Sequence, residues 1–357
     1  MGLTSIEWSD FTHNLWHGCC EVGDPTQEDG IDPACSGCYA RTRAENPYWW
    51  GKQQMFPVWG QDVGRRFFGE EHYLEPLKWN RAAEKAGVHK FVFCMSMGDW
   101  AEGRPDQKPY LDKYLYPTIE NTPWLIWLLL TKQPQIARSI VPEHWQRDGW
   151  PKNAWPGTTA VTQKWVDIRL PHLLAIPAVQ HFLSAEPLME RIDITPYLWG
   201  GSIEPAIHGC AICPKDADCE CGWKTRKELG WPYLSWVIGG AQSGKKARPS
   251  HPDWLRSLCH QCVAAGTDFH FKQWGEWAPK ASFRNFDDWD KASSHALVFP
   301  DGRYTAVAGR DKPDPEFGLT CFDLDGNDGA AAMARCGKKF AGRLLDGRIW
   351  DQRPEAA

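Results

Sequence analysis

Two groups of cysteines hold most of the chemistry legible in this chain. The first joins Cys19 and Cys20, preceded by Gly18, to the run Cys35-Ser36-Gly37-Cys38-Tyr39-Ala40. A C-x-x-C pair can bring two thiolates to one metal or one cluster, and a third thiolate from across a loop leaves one position open. Structural zinc wants four protein ligands. A three-cysteine set suits a 4Fe-4S cluster with one iron free for another ligand. His13 or His17 could complete a zinc set, and the C-x-x-C could act as a redox pair, so both readings stand beside the cluster.

The second group is Cys210, Cys213, Cys219 and Cys221, in HGCAICPKDADCECGW. Four thiols in a polar stretch with Pro and Gly and no core pattern read as a metal knuckle. Structural zinc is favoured over an auxiliary iron–sulfur cluster, and both accept four thiolates. Cys259 and Cys262 lie three apart on a helical stretch and read as small buried thiols. Residues 239–246 (GGAQSGKK) nearly match a phosphate-binding P-loop. The match fails because Lys246 stands where Ser or Thr would hold magnesium, and Pro249 and Pro252 prevent a helix from starting at the loop. The glycines there instead allow close backbone approach to a ligand.

The elements that must position these residues appear as short continuous apolar runs. They are residues 89–96 (HKFVFCMS), 124–131 (WLIWLLLT), 154–161, 179–185 (VQHFLSA), 236–240 (WVIGG) and 268–272 (DFHFK). Continuous rather than alternating apolar character fits strands covered on both faces of a parallel sheet. Their recurrence has the rhythm of βα units, with a Cys-rich insertion at about 205–230 in the one long gap. Residues 109–120, 163–174 and 253–265 read as helices, the last with Asp253 as N-cap and Gly266 as stop. After Trp277 Asp and Gly are frequent, and 330–345 reads as a final helix. The expected fold is α/β: a partial parallel (β/α) barrel over 1–277, then a C-terminal extension over 278–357. Functional side chains of such a barrel sit just after its strands. Those positions carry Gly98, Asp99, Thr131, Lys132, Thr162, Gln163, Glu186, Pro187, Gly239, Gly240, Lys272 and Gln273.

The 357 residues suggest two domains or one large barrel with additions. The longest apolar run, 124–130, is far short of the ~20 residues of a membrane span, so no membrane association is expected. The first ten residues show no secretory pattern, so a cytoplasmic protein is expected, whose 13 Cys are thiols or metal ligands before disulfides. A net charge of −5 argues against reliance on non-specific phosphate contacts, while leaving room for a local basic groove. The 22 Trp point to large buried surfaces or to stacking platforms.

The chain resembles the radical S-adenosylmethionine (SAM) superfamily, and within it a phage-associated radical-SAM-like family of unsettled activity. The resemblance is carried by residues 6–10 (IEWSD), Gly18-Cys19, 35–40, Ser96-Met97, 128–132 (LLLTK), 183–188 (LSAEPL) and 236–240. It continues through 247–249 (ARP), 251–254 (HPDW), 271–277 (FKQWGEW), 337–339 (GKK), 341–348 (AGRLLDGR) and Trp350, and so spans nearly the whole chain. A more distant similarity, in the Cys-Tyr ending of the cluster motif, is to spore photoproduct lyase.

The resemblance implies a radical-SAM-type barrel in which Cys19, Cys35 and Cys38 bind a 4Fe-4S cluster and SAM completes it. Reductive cleavage of SAM would give a 5′-deoxyadenosyl radical for hydrogen abstraction, with flavodoxin or ferredoxin as electron donor. Against the superfamily spacing C-x3-C-x2-C, residues 20–34 look like an insertion, and Cys20 competes with Cys19 as third ligand; Gly18 favours Cys19. Gly37 replaces the usual aromatic before the last cluster cysteine, and Tyr39 follows it. The family's Gly-Gly-Glu-Ser-Gly is here 239–244 (GGAQSG), without the carboxylate. By barrel position, Tyr39, Gly98 and Asp99 would meet SAM, with Gly98 and Asp99 at its amino group. Thr131 and Lys132 would meet its carboxylate or ribose, Glu186 ribose hydroxyls, Gly239 and Gly240 the adenine, and Lys272 and Gln273 the substrate. Glu186 and Lys272 could equally pair with each other.

A nucleic-acid or nucleotide substrate is the leading expectation. Tyr48, Trp49, Trp50, Phe56 and Trp59 could stack bases, and Arg65 and Arg66 could meet phosphates. Radical SAM modification of a peptide or protein is one alternative. A non-catalytic zinc-bearing nucleic-acid-binding protein is another, separable by metal analysis.

Overall fold

The computed structural model describes residues 4, 6–23, 30–46, 57–203, 224–283, 288–289, 291–307 and 329–356. Two compact units divide the chain. The first is Met1–Thr159 with Ile168–Leu183 and Pro354–Ala357; the second is Ala160–Asp167 with Ser184–Arg353.

The fold is mixed α/β around a seven-stranded sheet. Its strands are β1 (Phe11–Thr12), β2 (Lys90–Cys94), β3 (Leu125–Thr131), β4 (Ala154–Thr159), β5 (Phe182–Ala185), β6 (Trp236–Gly240) and β7 (Asp268–Gln273). They lie in sequential order from β1 to β7, the arrangement of a partial (β/α) barrel. In the first unit β1–β2, β2–β3 and β3–β4 are parallel, as is β6–β7 in the second. Every residue of β2 after Lys90 is buried, and so are all of Leu125–Leu129 in β3. Burial of both parities is why the sequence shows runs instead of alternation. Strand β1 is too short to leave an apolar run.

The helices named below are α1 (Pro33–Ser36), α2 (Tyr39–Ala44), α3 (Glu75–Ala86), α4 (Gln163–Leu174) and α5 (Pro252–Ala265). Residues 108–120 are also helical, with a wide turn at Leu111–Leu115. The cap of α5 is His251 rather than Asp253: its ring Nδ1 accepts from Asp253 N at 3.2 Å, and Pro252 takes the first helical position. Gly266 ends α5 with φ 67°.

The expected final helix at 330–345 is not there. Ala331–Arg335 is a strand, β11, of an antiparallel sheet with β8 (Trp277–Pro279), β9 (His295–Val298) and β10 (Tyr304–Val307), ordered β8-β11-β9-β10. Pairing on both sides overrides the helix propensity of its alanines. Only Lys338–Ala341 is helical. The tail then covers the outer edge of β7, where Phe271 N donates to Trp350 O at 2.8 Å and His270 pairs with Asp351. A covered edge cannot recruit another strand.

Much of the tryptophan is core. Trp16, Trp100, Trp127, Trp145, Trp155, Trp236 and Trp274 are fully buried. The indole N–H groups of Trp127, Trp155, Trp236 and Trp274 reach Thr122, Lys152 O, Gln352 O and Leu344 O at 2.8–3.0 Å.

Two buried histidines set an acid limit. Burial and then His72, stacked at 4.9 Å, lower His13 to about 3. Burial and then Arg343 lower His270 to about 3, and His270 Nε2 faces the Arg343 guanidinium at 3.1 Å. Both rings are neutral when folded and bind protons on unfolding below about pH 6.5. Stability is therefore full above about pH 6.5 and declines toward pH 3, by up to about 1.4 kcal/mol per pH unit per histidine. Melting midpoints between pH 7 and 4 should fall less steeply in His270→Gln than in the parent. Identical slopes would mean that His270 is protonated in the fold.

Candidate functional site

In the first unit, Gly18 sets the position of Cys19. Its φ is 118°, and its N–H donates to Met97 O at 3.0 Å. A Cβ on Gly18 would stand 2.2 Å from Val58 O, and one on Gly98 would stand 2.8 Å from Gly18 O. The two segments cross where neither admits a side chain, which brings Cys19 to the end of β2. Gly98 thus has a packing role. Gly18→Ala should destabilise by on the order of 3 kcal/mol through strain and overlap. An unchanged urea midpoint would show that the crossing has slack.

Cys35 lies in α1 and Cys38 caps α2, with Cys38 N donating to Cys35 O at 3.1 Å. Asp32 starts α1: its Oδ1 accepts from Ala34 N at 2.8 Å, and Pro33 follows as the first helical residue. Its Oδ2 takes Arg169 Nη2 of α4 at 2.7 Å, in a pair whose side chains are 0% and 1% exposed. Arg169 Nη1 also donates to Thr159 O at the end of β4, 2.6 Å away. Tyr39 is exposed, and its hydroxyl donates to Ser96 O at 2.8 Å.

Lys132 follows β3. Its side chain keeps some accessible surface, but the ammonium is enclosed by protein atoms. Burial opposes its charge, yet Cys35, Cys38, Asp32 and Cys19 outweigh that and hold it above the ordinary lysine value. The same field acts on the thiols. Burial, Glu102 and Asp99 push Cys19 well up while Lys132 pulls it down; burial pushes Cys35 up, again against Lys132. Asp99 is buried. Its carboxylate accepts from Lys132 N at 2.9 Å, from Ala101 N at 3.0 Å and from the Thr131 hydroxyl. Burial raises its pKa against these bonds. Asp99 and Thr131 therefore fix the strand end that carries Lys132.

Cys20 belongs to a different cluster. Its N–H donates to Glu102 Oε1 at 2.8 Å, and burial and then Glu102 push its thiol up to about 12. Glu102 pairs with Arg65 through two bonds, at 3.0 and 2.8 Å, with both side chains fully buried, and also accepts from Gln107. Arg65 additionally donates to Val63 O and Gly60 O. This corrects the expectation that Arg65 meets phosphate: its donors are already taken. Trp59 bridges Cys19. Tyr48, Trp49, Trp50 and Phe56 lie outside the described residues, as do Cys210, Cys213, Cys219 and Cys221.

The donor set can be tested against the implied cluster. Cys19, Cys35 and Cys38 are free thiols from two loop segments, all acting on one enclosed cation. Among the described residues, no three His, Cys, Asp or Glu side chains converge as ligands of one metal ion. Three thiols are the donor type that a 4Fe-4S cluster takes, and Lys132 would offset their charge.

In the second unit, Glu186 and Lys272 form an ion pair of 2.8 Å, with Gln273 Nε2 3.4 Å from the same carboxylate oxygen. Gly240 packs against both Glu186 and Lys272, while Gly239 packs on Leu258 and Phe269. The loop after β6 does not run into a helix, in line with the rejected P-loop. Gln242 Oε1 there accepts from Arg248 N at 3.0 Å. Cys259 and Cys262 are buried in α5, as read.

Asp32, Arg169 and Glu102 were not singled out by sequence reasoning, and Arg65 was singled out for phosphate rather than for its pairing with Glu102. Asp32-Pro33 carries the cap-then-proline signature of a helix start and could have been read. The two arginines are distant in sequence and carry no such signal.

The family described as "Protein of unknown function (DUF5131)" matches residues 3–354, and the chain belongs to it. No curated protein and no solved structure matches the chain. No helix among the described residues is long and apolar enough to cross a membrane.

Proposed function

We propose that the protein is a radical SAM enzyme whose 4Fe-4S cluster is held by Cys19, Cys35 and Cys38, acting on a nucleic acid or nucleotide. The observation that carries this reading is the gathering of three free thiols around Lys132 at the end of a parallel strand. When bound, the reduced cluster and SAM supply a 5′-deoxyadenosyl radical for hydrogen abstraction. This chain's residues hold and insulate that chemistry. Lys132 offsets the thiolate charge, and Asp99 and Thr131 fix Lys132 by its backbone. Asp32 and Arg169 anchor the segment bearing Cys35 and Cys38. Glu102 ties down the Cys19–Cys20 turn and draws the Cys20 thiol away, which favours Cys19 as the third ligand.

The test uses anaerobically reconstituted full-length protein with dithionite and SAM. Slow formation of 5′-deoxyadenosine is expected, with flavodoxin or ferredoxin able to replace dithionite. Iron-replete protein that forms none would overturn the reading.

A further inference from the structure

We propose that Glu186, Lys272 and Gln273 form a recognition site for a guanine base; this names the substrate class within the nucleic-acid reading above and rests on it. The ladder between β6 and β7 carries a fault. Gly239 pairs with Phe271, but Gly240 pairs with Gln273, so Lys272 is bulged out of β7. Consecutive side chains of a regular strand point to opposite faces. The bulge lets both Lys272 Nζ and Gln273 Nε2 reach Glu186 Oε1, at 2.8 and 3.4 Å. Bulges recur beside functional sites because they re-aim side chains. Gly240 lies against this group; a Cβ there would come within 3.4 Å of both Glu186 and Lys272.

The trio has hydrogen-bonding capacity to spare. Gln273 is 2% exposed, and its Oε1 is buried with no partner among the described residues. Buried acceptors of this kind are seldom left unpaired. Glu186 Oε2 takes no bond among the described residues, and Lys272 uses one of its three N–H groups, on Glu186. The site therefore offers one donor (Lys272) and two acceptors (Glu186 Oε2 and Gln273 Oε1). The ion pair offsets its own charge, so a neutral partner is matched.

The complement is one acceptor and two donors. Guanine presents this set along its Watson–Crick edge as O6, N1–H and the N2 amine. Uracil, thymine and cytosine each present one donor and two acceptors, and adenine one of each. A site with built-in donors and acceptors rejects partners that leave them unpaired.

The test is equilibrium binding to full-length protein, as purified and after cluster reconstitution, without SAM or reductant. GMP, IMP, AMP, CMP and UMP are compared by tryptophan quenching, alongside short single strands that differ only by one G or A. GMP, or the G-containing strand if the base must come from a strand, should bind at least about tenfold more tightly than its competitors. IMP, which lacks the N2 amine, should lose about tenfold against GMP, and Gln273→Leu should abolish that difference. Equal binding of all bases, equal binding of GMP and IMP, or no binding of any nucleotide or strand would overturn the proposal. The GMP–IMP comparison uses unaltered protein and does not depend on a variant folding. SAM cleavage without guanine preference sinks this inference alone; guanine preference without SAM cleavage sinks the radical reading instead.

Discussion

Cys35→Ala and Cys38→Ala proteins should each lose their iron and all detectable SAM cleavage, whereas Cys20→Ala should keep both. The contrast follows from where the thiols act. Cys35 and Cys38 lie in the field of Lys132 with Cys19, while Cys20 is turned to Glu102. Removing one of three thiolates leaves too few ligands for a cluster that already has an open position. It also leaves the Lys132 ammonium under-compensated in an enclosed site. Iron assay and visible absorbance of the three variants decide the matter. Full iron and cleavage in Cys35→Ala would contradict the assignment, and a Cys20→Ala protein as empty as Cys35→Ala would transfer the third ligand to Cys20.

Arg169→Met should cost about 3–5 kcal/mol, the range for stranding one member of a buried ion pair. Asp32 is fully buried, its carboxylate already caps α1, and Arg169 is the cation beside it. The loss should also reach Cys35 and Cys38, because Asp32 sets the start of the helix that carries Cys35. Iron incorporation should fall in step with stability. Urea unfolding of Arg169→Met, Asp32→Asn and the double variant measures the coupling, with the double variant costing less than the two singles together. A change below about 1 kcal/mol in Arg169→Met would put this pair with solvent-screened ones.

The strands were legible because both faces are buried, so β2, β3 and β6 read as unbroken apolar runs. Strand β1 was not, since Phe11–Thr12 gains its place from pairing with Val92 and Phe93 and not from its own composition. The alanine-rich β11 misled in the opposite direction, because propensity says helix and partners on both sides say strand. At the site, Cys19, Cys35 and Cys38 were visible as a cysteine group with C-x-x-C spacing, and Lys132 as a residue just after a strand. The Asp32–Arg169 and Glu102–Arg65 pairs were not, because a salt bridge across 137 or 37 residues has no local pattern. The Glu186–Lys272 pairing, one of the readings of the sequence, is present at 2.8 Å.

The most direct measurement is the iron, sulfide and zinc content of full-length protein purified and reconstituted without oxygen. About four iron and four sulfide per chain, bound through the first cysteine group, is the predicted result. Zinc without iron in that protein would contradict the cluster and with it the proposed activity.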